Sequence, residues 1–157
     1  MKTIKLLTVL VLISSIAFVS CKKDEDDSVI PETENGTMSL KYGGTSWSAT
    51  LNVQAIKSGQ TIVITGTDSN SKQVQIQISR ATSTGTYELT FGSGHTFRWT
   101  ESTNPKDSFM ANGTLGSGTV IITELSDSKI AGTFSFTGIS VGFTEREITD
   151  GKFDVKF

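Results

Sequence analysis

Gln73-Val74-Gln75-Ile76-Gln77-Ile78 decides the fold class, because amide and β-branched side chains alternate through it without a break. In an extended chain successive side chains point to opposite faces, so the glutamines share one face and Val74, Ile76 and Ile78 the other. Such a segment is a strand with one face toward a core and one toward water, the habit of antiparallel sheets. Working outward, Tyr87, Leu89 and Phe91 alternate with Thr86, Glu88 and Thr90, and at the end of the chain Phe153, Val155 and Phe157 alternate with Lys152, Asp154 and Lys156. No stretch after Cys21 carries a helical period. The pattern predicts strands over 38–42, 46–55, 60–66, 73–79, 86–91, 96–101, 107–112, 118–124, 130–137, 141–145 and 151–157.

The connections carry turn chemistry at Gly43-Gly44, Ser58-Gly59, Asp68-Ser69-Asn70-Ser71, Gly92-Ser93-Gly94 and Asp150-Gly151. Asp150-Gly151 suits a two-residue hairpin. Trp47 alternates with Ala49 and Leu51 and reads as core, as do the rings of Phe134 and Phe136. Short strands joined by short turns give an all-β fold, an antiparallel meander forming a β-sandwich or a flattened barrel. Residues 37–157 are enough chain for one hydrophobic core. A membrane barrel is disfavoured, since its strands need about 9 to 11 residues with a fully apolar outer face, and here the second faces carry Gln, Lys, Ser and Thr.

The N-terminus has a different character. Lys2 and Lys5 precede an apolar stretch from Leu6 to Val19, and Ser20-Cys21 follow. That succession is an export signal, with residues 1–20 expected to be removed. The stretch is shorter than the roughly 20 residues of a membrane-spanning helix. Phe18-Val19-Ser20-Cys21 resembles the bacterial lipobox, with Phe18 in place of the commoner leucine, and this resemblance implies acylation of Cys21. As the only cysteine in the chain, Cys21 has no intramolecular disulfide partner. Residues 21–36 then form a tether: 22–36 hold two lysines against six acids and cannot bury enough apolar surface to fold. Lys22, Lys23, Asp24, Glu25, Asp26 and Asp27 resemble the tag that sends Bacteroidetes lipoproteins to the outer face of the outer membrane. Asp27-Ser28-Val29 resembles the O-glycosylation acceptor of that phylum. The expected address is the outer membrane, lipid-anchored and facing outward.

Gly44-Thr45-Ser46-Trp47-Ser48-Ala49, Gly85-Thr86-Tyr87, Gly116 to Thr123, Ile130 to Phe136 and Ile148 to Phe153, taken in order, resemble a domain family of unknown function found in small Bacteroidetes lipoproteins. The resemblance covers roughly 38–157. It implies an all-β lipoprotein domain and brings no activity with it.

Residues 37–157 carry ten basic and ten acidic side chains. A neutral domain without a basic stripe argues against nucleic acid as partner. His95, the single histidine, stands in Gly92-Ser93-Gly94-His95-Thr96-Phe97 with no nucleophile motif beside it, and reads as an exposed turn residue. One histidine and one lipidated cysteine do not make a zinc site. Calcium has only Asp68-Ser69-Asn70, or Glu145, Glu147 and Asp150, to call on, without a twelve-residue loop. The expectation is therefore no enzyme and no cofactor. Along 95–101, if Phe97 and Trp99 face inward then so does His95, while Arg98 faces out. His95 and Trp99 are the candidate ligand contacts: an exposed Trp99 would stack on a sugar ring or anchor a protein partner, while burial in the core is the favoured reading of a single tryptophan in a small β-domain. Three functions stay open: a non-catalytic module binding a glycan or envelope protein; a lipocalin-like barrel holding a small apolar ligand; and a glycan hydrolase, which needs two carboxylates about 5 to 10 Å apart.

Overall fold

The computed structural model describes residues 33–157. Cys21, the tag at 22–27 and the glycosylation pattern at 27–29 lie outside the described residues. The described residues form eleven strands: β1 (Gly36–Tyr42), β2 (Thr45–Ser48), β3 (Asn52–Ser58), β4 (Thr61–Thr67), β5 (Gln73–Ile78), β6 (Gly85–Glu88), β7 (Thr96–Thr100), β8 (Ser108–Asn112), β9 (Ser117–Leu125), β10 (Lys129–Ile139) and β11 (Glu145–Lys156). A 3-10 turn, Pro105–Asp107, precedes β8. All strand pairs are antiparallel, and the sheet curls into a half-barrel. No helix among the described residues is long and apolar enough to cross a membrane.

The alternation in β5 does what its period requires. Val74, Ile76 and Ile78 are buried while the three glutamines are half-exposed. Ile76 stands opposite Ile64 of β4 and Phe97 of β7, so one inward row crosses three strands. Burying each such side chain contributes about 1.5 to 3 kcal/mol. Tyr42 pairs with Thr45 across Gly43-Gly44, whose φ values of +52° and +78° make the tight turn that matches strand twist.

The sheet order is β2-β1-β11-β10-β8-β7-β5-β4-β3, with β9 and β6 branching from β10. The long strand β10 carries two partners end to end on one side. Ile139 faces Met110 of β8, and Thr137 to Ile130 face Ser117 to Leu125 of β9. Beyond them β7 pairs with β8 and β6 with β9. The sheet therefore forks at β10 into a long branch, β8-β7-β5-β4-β3, and a short one, β9-β6. The long branch curls until β3 meets β1 and β11. The concave side is filled by Met38, Ile64, Phe97, Trp99, Phe136 and Ile148 among others.

Four expectations need correction. The strand expected over 46–55 divides, because the Ala49 N–H bonds Met38 O while the Thr50 and Leu51 N–H groups both reach Thr67 O. This corner carries the chain from one end of the sheet to the other, and Leu51 is 67% exposed rather than core. The strand over 86–91 stops at Glu88, leaving Phe91 87% exposed. The strand expected over 141–145 is the loop 140–144, and the strand expected over 151–157 begins already at Glu145 as β11. Asp150-Gly151 is accordingly not a hairpin but a bulge, in which two residues oppose Leu40 of β1. Asp150 adopts φ +52° there and pairs with Lys41 at 3.0 Å.

Candidate functional site

Neither candidate contact residue is offered to solvent. The Trp99 ring is fully buried, 5.0 Å from Tyr42 and 5.1 Å from Trp47. Its indole N–H donates to Glu101 Oε1 at 3.1 Å. Glu101 also takes the Arg146 guanidinium, Nη2 donating to Oε2 at 3.1 Å while Nε lies 2.6 Å from Oε1 without an aligned hydrogen bond. This packing is the buried alternative for Trp99, and it leaves no ring face open to a sugar. Arg98 points outward, as the alternation requires.

His95 is 7% exposed, not the open turn residue expected. Its Nδ1 accepts the Ser79 backbone N–H at 3.1 Å, and its backbone N–H donates to Ser93 Oγ at 3.3 Å. The Tyr87 ring meets it edge-on at 5.9 Å. Burial first, and the nearby Arg80 charge second, hold the imidazole pKa below the usual 6.5. With its free lone pair spent on a backbone donor, His95 braces the fork. Arg80 completes the brace, its Nη2 donating to Gly92 O at 3.1 Å and Ser93 O at 3.0 Å.

These residues edge a cleft of about 480 Å³ where the two branches part, with Thr86 and Glu88 of β6 facing Arg80 and with Phe91 also in its lining. A second trough of about 510 Å³ runs over the outer face of β9, β10 and β11 and shares Glu88 of β6 with the first. Ser117, Thr119, Ser135 and Thr137 line it with hydroxyls, and Glu147 stands at its far side. Glu88 and Glu147 sit on strands three interstrand spacings apart, so their backbones are separated by about 14 Å.

The calcium candidates take different places. Asp68 is buried and saturated, its Oδ1 accepting the Asn70 and Lys72 N–H groups at 2.8 and 2.9 Å and its Oδ2 the Trp47 indole N–H at 2.9 Å. Glu147 belongs to the trough and Asp150 to the bulge. Among the described residues no three His, Cys, Asp or Glu side chains gather as a metal site. Sequence reasoning did not single out Arg80, Tyr87, Glu88 or Phe91 for the cleft. The available signal was Phe91, whose alternation runs on into Gly92-Ser93-Gly94, where a strand would have to end.

The chain belongs to the family described as a domain of unknown function (DUF6252), whose model matches residues 34–154. No curated protein and no solved structure matches it.

Proposed function

We propose that this member of the family is a lipid-anchored envelope protein, whose β-domain is a non-catalytic module binding a glycan or another envelope protein through its outer surface. One observation carries the reading: the concave interior is occupied by the domain's own side chains, whereas polar groups gather outside, in two clefts that meet at Glu88. Packed cores admit few voids larger than a water molecule, so an apolar ligand inside the half-barrel would have to displace side chains such as Trp99 and Phe97. The hydroxyl-lined trough, by contrast, offers donors and acceptors to a hydroxyl-rich ligand. The braced state of His95 supports a structural role for the one imidazole.

The lipid anchor and outward address rest on the lipobox-like run ending at Cys21 and on the acidic residues after it. Protease shaving of intact cells tests the address, using wild type beside a variant with Asp24 to Asp27 replaced by Ala. Cleavage of wild type and protection of the variant support outward export; protection of both, with loss only on permeabilisation, sends the search to periplasmic partners. Binding is tested by applying the purified mature chain to a glycan array and by extracting it into organic solvent. A retained small apolar molecule together with an unreactive outer surface would replace this proposal with the interior-ligand reading.

A further inference from the structure

Resting on the reading of the domain as a binding module, we infer that an extended, acidic peptide segment of another protein docks on the free edge of β6 as an added strand. The register fixes which groups are free. Leu89 N–H donates to Gly118 O at 2.9 Å, just past the end of β6. Bonded and unbonded pairs alternate along an antiparallel ladder, so Tyr87 with Val120 and Gly85 with Ile122 are the bonded pairs. Thr86 and Glu88 then direct their N–H and C=O groups away from β9. No other strand pairs with β6, and these four backbone groups have no partner among the described residues.

The place beside that edge is one that β5 leaves empty. β6 and β7 lie in line along β9 and β8, and β5 covers the far side of β7. Continued straight, β5 would run beside β6. It turns away instead at Arg80, where φ is +55°, and the Ala81 N–H bonds Gln60 O at 2.8 Å at the end of β4. The cleft of about 480 Å³ occupies the vacated position. β6 spans about 13 Å, the length of a four-residue complement.

Charge selects the occupant. Arg80 is exposed and forms no ion pair among the described residues, its bonds going to two carbonyls. Glu88 of β6 lines the same cleft, so an acid on the incoming strand is favoured where it faces Arg80 and disfavoured where it faces Glu88. Phe91, in the same lining, offers an uncovered ring to an alternate side chain. Main-chain pairing gives affinity and the flanking side chains give selectivity, the usual division in strand addition.

The test is selection of a random heptapeptide library, displayed on phage, against the full mature chain. Enriched peptides should combine Asp or Glu with β-branched residues, and bind more weakly as salt rises. Synthetic copies should lose about tenfold in affinity when alternate residues are N-methylated in one register, and little in the other, because only one edge of the added strand faces β6. Thr86→Pro should cause a similar loss, and Arg80→Gln should remove the preference for acids. The N-methyl comparison uses the unaltered protein, so a poorly folded Thr86→Pro variant does not decide the matter. Failure to select any peptide, or peptides indifferent to both N-methyl registers, overturns the strand proposal. A glycan array that still shows binding in that case leaves the module reading standing; a blank array as well removes both.

Discussion

Replacing Asp68 by Ala tests whether one buried carboxylate ties β2 to the β4–β5 turn. The side chain accepts three hydrogen bonds, from the Trp47 indole and from the Asn70 and Lys72 backbone, and it is buried. Removing it leaves the buried Trp47 N–H without its acceptor, which costs about 1 to 3 kcal/mol. The two turn amides are half-buried and regain some solvent, so each loses about 0.5 to 1 kcal/mol. The expected destabilisation is about 3 kcal/mol, or about 10 °C in Tm for a domain of this size. Asp68→Asn keeps one acceptor oxygen and should lose roughly half as much. Urea unfolding followed by tryptophan fluorescence is the assay, since Trp47 and Trp99 are the only two tryptophans and are packed together. Ser69→Ala, one residue away and exposed, is the control and should stay within about 0.5 kcal/mol of wild type. A loss below about 1 kcal/mol for Asp68→Ala would refute the reasoning, because it would mean that the indole N–H finds another partner at little cost.

His95 titrates below its unfolded value of 6.5, so the unfolded chain binds the extra proton first as the pH falls. Its contribution is fully present above pH 6.5 and is lost as the pH drops through 6.5 toward the folded value. Urea midpoints at a series of pH values should fall in that window, and His95→Gln should flatten the dependence; an unchanged slope in the variant would remove His95 as its source. Gly151→Ala would place a Cβ 2.5 Å from Phe134 O and 2.6 Å from its ring, and should cost about 2 kcal/mol as the bulge readjusts, read as a lowered thermal midpoint. Phe143 is 85% exposed and held at φ +58° in the β10–β11 loop. Phe143→Gly should therefore stabilise the domain by about 1 kcal/mol through relief of left-handed strain, and a net loss would show that the ring packs against something in solution.

The sequence by itself determined whatever depends on side-chain period and local turn chemistry. The alternation of β5 fixed its two faces, and the run from His95 to Trp99 put His95, Phe97 and Trp99 on one face of β7 and Arg98 on the other, because a strand's faces repeat every two residues whatever lies beside it. Gly43-Gly44 declared its turn for the same local reason. What only the tertiary structure decided depends on partners distant along the chain. Asp150-Gly151 reads as a hairpin when nothing shows that β10 and β1 pair straight through it, and one extra residue in such a ladder is a bulge. Leu51 continues an alternation that long-range bonds to Thr67 cut short. Trp99 could not be assigned to the core or the surface until Tyr42 and Trp47 were placed against it. The cleft belongs to this second kind. It exists because β10 is long enough to hold two partners end to end and because β5 turns away at Arg80 before reaching β6, and a pattern of period two cannot encode the pairing of strands from opposite ends of a domain.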